Sequence, residues 1–219
     1  DSNPVHTGSL FDIKGGELNV VSVDGYRLAL RREKVAFDSD FSFIVPGKSL
    51  SEVAKLLRDE EGDIEIAVSK RHIIFKAGSY NVISRLLEGE FLDYRAAIPA
   101  GGQTTVKIST RELIASIDRA SLLISDNIKS PLRLKFEGGV IKISCSTAIG
   151  KAYDEITCQQ AGDDVEIGFN SRYMLDALKA SECDEIQLLI NGALSPIKLV
   201  PLEGDSFTFL VLPVRLKSE

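Results

Sequence analysis

Alternating apolar and polar positions, broken by two kinds of glycine turn and by short helical patterns, run through this chain twice. FDIKGGELNVVSVDGYRLAL, from Phe11, sets Gly15 and Gly16 between alternating runs, and FEGGVIKISCSTAIGKAYDEI, from Phe136, does the same with Gly138 and Gly139. In each copy a further glycine leads into another alternating run, which predicts strands joined by tight turns. Downstream, SFIVPGKSLSEVAKLL from Ser42 parallels EIGFNSRYMLDALKA from Glu166: a short apolar strand entering an amphipathic helix. A turn follows each helix, at Glu61, Gly62 and Asp63 and at Glu182, Cys183 and Asp184, and three strand-like runs come after it. The offset stays at about 123 residues, Gly15 against Gly138, so two copies of one domain are expected.

The second copy has a lead-in that the first lacks. It holds a strand over 105–108 and a helix over 110–124, opened by Ser109 with Glu112 three residues on, a capping-box spacing. Only a short segment precedes Gly15, so the chain is expected to begin inside a domain, without that domain's first strand and helix. The non-periodic stretch 98–103 marks the boundary, giving domains 1–102 and 103–219. Apolar residues fall on one helix face at Leu113, Ile117, Ala120 and Ile124, and at Leu50, Val53, Ala54 and Leu57. The connections are too short for parallel crossovers, which predicts an α+β fold: antiparallel sheets covered on one side by helices, two helices per complete domain.

Composition narrows the function. Hydrophobic residues make up 44% of the 219 positions, yet no apolar run approaches the ~20 needed to cross a bilayer and no charged-then-apolar signal opens the chain. A cytoplasmic protein is expected. Cys145, Cys158 and Cys183 are odd in number and widely spaced, with no C-x-x-C pair, which suits reduced small hydrophobes. A net charge of -6 argues against gripping phosphates by overall attraction, so any DNA contact must come from a local basic surface.

Enzyme signatures are scarce: there is no G-x-G-x-x-G, Walker A loop, G-x-S-x-G elbow or H-E-x-x-H. His6 lies in the lead-in and His72 in a strand-like run. Carboxylate groups such as Asp59-Glu60-Glu61 and Asp163-Asp164 read as solvated surface, and Asp24-Gly25 as a hairpin turn. The apolar C-terminal run 209–216 fits either a buried edge strand or a binding groove. No metal or cofactor is implied. An enzyme of unknown class on a repeated scaffold is the alternative, and it would need a perturbed titratable residue in a cleft.

VSVDGYRLAL from Val21, LLEGEFLDYRAAIP from Leu86, IGFNSRYMLDAL from Ile167 and the terminal FLVLPVRL from Phe209, in this order and spacing, resemble the bacterial DNA polymerase III beta subunit, or sliding clamp, family. The resemblance implies a DNA-clamp fold in which three similar domains form a subunit and two subunits close head to tail around duplex DNA. It implies no catalysis but tethering of the polymerase III alpha subunit, the clamp-loader complex and other proteins that carry a clamp-binding motif, with a homodimer when full length. The chain would hold the middle domain, without its first strand and helix, and the third.

Carried over by position, the family's partner-peptide groove comprises Gly25, Arg27, Leu28, Leu92, Ala97, Asn170, Tyr173, Leu194, Pro196, Leu210, Val211, Leu212, Pro213, Val214, Arg215 and Leu216. Val23, Tyr26, Ala96 and Pro196 depart from residues common in relatives, and Lys217-Ser218-Glu219 runs past the usual terminal leucine. The DNA-facing helix surfaces would carry Lys48, Lys55, Arg58, Arg111, Arg119, Arg172 and Lys179, with Glu52 and Asp118 among them. Leu122 and Leu123 match positions used at the subunit interface.

Overall fold

The computed structural model describes residues 4–37, 39–58, 61–124 and 130–216, so Asp59, Glu60 and the tail Lys217, Ser218 and Glu219 lie outside the described residues. The chain separates into two compact units: Asp1–Gly25 with Leu30–Arg95, and Tyr26–Ala29 with Ala96–Glu219. Tyr26–Ala29 therefore clusters with residues far along the chain, which the linear pattern does not announce.

In the first unit β1 (Gly8–Lys14), β2 (Glu17–Val23), β3 (Arg27–Lys34) and β4 (Phe41–Pro46) lie side by side as β4-β1-β2-β3. Helix α1 (Gly47–Leu56) follows, then a three-stranded sheet of β5 (Glu65–Val68), β6 (His72–Ala77) and β7 (Tyr80–Arg85). The short α2 (Tyr94–Ala97) crosses the boundary between the units. A small core gathers Phe11, Phe43, Val45, Val53, Ile73, Phe75 and Leu86, with Phe11 stacked on Phe43 at 5.3 Å between ring centroids.

The second unit opens with β8 (Thr104–Ser109) and α3 (Thr110–Ala120). Its four-stranded sheet contains β9 (Leu132–Glu137), β10 (Val140–Thr147), β11 (Gly150–Thr157) and, after β12 (Gln159–Ala161), β13 (Val165–Phe169). Helix α4 (Ser171–Ser181) precedes β14 (Glu185–Ile190), β15 (Ile197–Val200) and β16 (Phe207–Val211). The spatial orders are β11-β10-β9-β13 and β12-β8-β14-β15-β16, with antiparallel registers throughout. Strict alternation buries one face of β9, β10 and β14, and α3 and α4 cover it through Leu113, Ile117, Met174 and Leu178. Antiparallel sheets capped on one side are the α+β arrangement that the pattern predicts.

The repeat is visible in backbone hydrogen bonds as well as in sequence. Gly15–Gly16 and Gly138–Gly139 all take positive φ, between 57° and 84°, which glycine adopts without a Cβ penalty. Asp40 caps the first turn by accepting from Gly15 N at 3.1 Å, and Asp164 the second by accepting from Gly138 N at 3.3 Å. Further along, Leu87 N donates to Ile44 O at 2.9 Å, and Val214 N to Gly168 O at 2.7 Å.

Two helix expectations change. Helix α3 ends at Ala120 rather than at 124, and 121–123 tightens into a 3-10 turn; Ile124 still packs against the core. In α1 only Val53 is buried, Leu50 and Leu57 lean on the core, and Ala54 is exposed, so the buried face is narrower than the apolar stripe. Among the described residues no helix is long and apolar enough to cross a membrane.

Candidate functional site

Helix α4 is fixed at its start by Asn170, whose side-chain oxygen accepts from Arg172 N at 3.0 Å and Tyr173 N at 3.4 Å. This cap sets Tyr173 and, one turn on, Asp176 on the same helix face. Arg27 reaches both. Its Nη1 donates to Asp176 Oδ2 at 2.6 Å, and its guanidinium lies over the Tyr173 ring, 4.5 Å from the centroid. Tyr26 stacks on Tyr173 at 6.0 Å, and its carbonyl accepts from Leu212 N at 2.9 Å. These contacts all lie in the second unit, and they form a polar and aromatic wall with the exposed Leu212 beside it.

A second group forms where the chain end meets β13. With its N–H on Gly168 O, Val214 brings 214–216 across that strand, and only glycine fits beneath: a Cβ on Gly168 would lie 2.6 Å from both Val214 O and Leu216 Cδ2. The resulting cavity of about 500 Å³ is lined by Ile167, Gly168, Ala193, Leu194, Val214 and Leu216, with Glu166 and Arg215 at its edge. Leu194 is 71% exposed and Val214 40%, so the apolar lining stands open to a ligand. Such a surface, mostly apolar with a few placed polar groups, suits an extended peptide.

Of the expected groove residues, the structure gathers Arg27, Asn170, Tyr173 and Leu212 around α4, and Leu194, Val214, Arg215 and Leu216 around Gly168. Leu28, Leu210 and Val211 are buried at 5% or less and shape the site from beneath rather than facing outward. Pro196 and Pro213 are half-buried and Ala97 is exposed; Gly25, with φ 83°, and Leu92 belong to the first unit. Asp176 and Gly168 were not expected. Helical spacing from Tyr173 could have found the first, whereas the second has no signal in pattern, because its need for glycine comes from a segment 46 residues away.

The seven helix cations are all exposed, but they are not equivalent. Lys55 pairs with Glu52 at 2.8 Å and draws that carboxyl below its ordinary range. Arg119 Nε donates to Asp154 Oδ2 at 3.0 Å, and the Ser116 hydroxyl, with Arg119 next, holds Asp154 below the usual carboxylate range. Leu122 is 82% exposed and Leu123 half-buried. All three cysteines are free, and burial pushes the Cys145 and Cys158 thiols up. Among the described residues, no three His, Cys, Asp or Glu side chains gather as they would around a metal ion.

Residues 95–215 match the family described as DNA polymerase III beta subunit, C-terminal domain, and residues 1–93 match its central domain. The Staphylococcus epidermidis protein named beta sliding clamp is 35% identical over 98% of this chain and 58% of its own length. A Staphylococcus aureus protein of the same name is 36% identical with the same coverage. The crystal structure of the DNA polymerase sliding clamp from Bacillus subtilis superposes with a TM-score of 0.94 at 33% identity, over 99% of this chain and 58% of that one. The chain thus spans 58% of the length of these relatives, and it belongs to the DNA polymerase III beta subunit, or sliding clamp, family.

Proposed function

We propose that this chain supplies the part of a sliding clamp that receives partner peptides, in a processivity factor that encircles duplex DNA, catalyses no reaction itself and tethers DNA polymerase III, the clamp loader and other proteins bearing a short linear motif. The observation that carries this reading is the open apolar cavity around Gly168, Leu194 and Val214, together with the Arg27, Tyr173 and Asp176 wall that Leu212 flanks, on a chain of this family. A peptide presenting leucine and an aromatic residue fits an apolar cavity edged by a cation, and its backbone finds few competing charges there.

The remaining roles follow from the same reading. The exposed cations Lys48, Arg58, Arg111, Arg172 and Lys179, which form no ion pair among the described residues, suit sequence-independent phosphate contact, while Lys55 and Arg119 are partly engaged by their carboxylates. A second subunit would dock along the outer edge of β11, where Leu122 and Ile149 are 68% exposed or more. A domain division at 1–102 and 103–219 is supported by the repeated hairpins and caps on its two sides.

Fluorescence anisotropy with a labelled peptide ending in leucine and phenylalanine tests the groove. Leu212→Ala and Arg215→Ala are each expected to weaken binding about tenfold, as truncation of an anchoring residue does. A peptide that never binds, or that binds both variants as it binds the parent, overturns the assignment.

A further inference from the structure

On the far side of 214–216 lies a second cavity, of about 600 Å³, which none of the groove positions except Val214, Arg215 and Leu216 touches. Its floor is the open face of the four-stranded sheet. Arg133, Ser144 and Tyr153 form one cross-strand row, and Ser146 and Lys151 are partners in the next, so alternation puts all five on one face. Arg215 closes the rim.

The chemistry of this lining is one-sided. Three cations face the cavity and no Asp or Glu does among the described residues, in a chain whose net charge is -6. Arg133 is engaged with Glu166 at 2.9 Å, and Tyr153 donates to Glu155 at 2.8 Å. Lys151 and Arg215 have no ion pair among the described residues. The hydroxyls of Ser144 and Ser146 add donors that a carboxylate oxygen accepts. The first unit provides an internal control. Its cavity of about 710 Å³, next to the equivalent bridge at Leu87, is lined by Asp12, Glu88, Glu90 and Asp93 against Lys70 and Arg95. A basic lining is therefore not a by-product of the repeated backbone.

We propose that this second cavity binds the carboxylate of an acidic side chain on the same linear peptide whose apolar residues fill the neighbouring cavity, with Lys151 and Arg215 as its cationic partners. The inference rests on the peptide-groove reading. The two cavities share 214–216 as a common wall, so one extended chain can enter both, its apolar residues on the Gly168 side and its acidic ones a few residues away. The acidic flank then sets which partners are preferred, and the apolar anchors supply the larger share of affinity.

The test compares two labelled peptides that share the leucine and phenylalanine but carry either two glutamates or two glutamines in the flank. The acidic peptide is expected to bind the chain about fivefold more tightly at low salt, the size of a part-exposed ion pair, with the preference fading at high salt. In Lys151→Gln, an exposed position where folding is not at risk, the acidic preference shrinks to about twofold, the share that Arg215 retains. Equal binding of the two peptides by the parent chain overturns this inference and leaves the groove standing. An acidic preference undiminished by Lys151→Gln also overturns it, as does binding of inorganic phosphate with no gain from the acidic flank. Absence of binding by either peptide overturns the groove and this inference together.

Discussion

The two backbone bridges, Leu87 to Ile44 and Val214 to Gly168, are the same structural event in the two copies, and they carry opposite chemistry. In both, a segment that has left its sheet returns to lay one N–H on the outer strand of another, β4 in one unit and β13 in the other. In the first unit the receiving residue is Ile44, 4% exposed, and the adjoining cavity is mostly acidic. Its Asp12 is occupied, accepting from the Tyr94 hydroxyl and from Arg95 at 2.8 Å each, and burial followed by that carboxylate pushes the Tyr94 hydroxyl upward. In the second unit the receiving residue is glycine, the returning segment lies closer, and one flanking cavity is apolar while the other is basic. The hydrogen-bond framework is thus the repeated part, and the side chains around it are where the copies diverge.

That difference can be broken from the first unit. Because Ile44 is buried, Ile44→Ala removes three methyl-sized groups from beneath Leu87 and is expected to destabilise the chain by about 2–5 kcal/mol. Urea unfolding followed by circular dichroism measures it. A loss below ~1 kcal/mol would mean that the first bridge is a loose surface contact.

Gly168→Ala attacks the second bridge from the opposite direction, by adding rather than removing volume. The new Cβ meets a backbone oxygen and a leucine methyl at 2.6 Å, so 214–216 must lift. Overpacking of this kind costs about 1–3 kcal/mol. Faster hydrogen exchange at the Val214 amide, which donates at 2.7 Å in the parent, reads the lift directly. Unchanged exchange would show that the segment is held by something other than this contact.

Much of this architecture was legible because it rests on local rules. The Gly-Gly hairpins, the Ser109 cap on Glu112 N and the alternation of β9 and β10 each need only a few neighbouring residues, and each is found in the structure. The bridges were not legible, since nothing periodic marks Leu87 or Val214 as the partner of a strand tens of residues earlier. Ala54 failed for a related reason: helical spacing places it on the apolar stripe, but the small first core does not extend far enough to cover it. In the candidate site, resemblance named Arg27 and Tyr173 separately, and only folding showed that the arginine lies across the ring with Asp176 as its anchor. The basic cavity is spread over β9, β10, β11 and the chain end, so no window of sequence contains it.

The smallest expected effect concerns the charge reversal beside the two hairpin turns. At the second turn Glu137 accepts from Lys142 Nζ at 2.7 Å and Lys135 Nζ at 3.0 Å, whereas Lys14 and Asp12 stand at the equivalent places of Glu137 and Lys135 in the first. The two lysines, Lys142 foremost, hold the Glu137 carboxyl down at about 2, against an ordinary 4.5. A carboxylate whose folded value lies below its unfolded one stabilises the fold fully above the unfolded value, here 4.5, and loses that contribution as pH falls through about 2. Glu137→Gln should therefore lower the urea midpoint slightly at neutral pH and flatten part of its fall between pH ~5 and ~2, the window to which the contribution of Glu137 is confined. Because the Glu137 side chain is only half-buried, salt should shrink the difference between parent and variant. A Glu137 carboxyl that titrates near 4.5 by NMR would show that the lysines solvate rather than bind it, and the turns would then differ in sequence without differing in acid response.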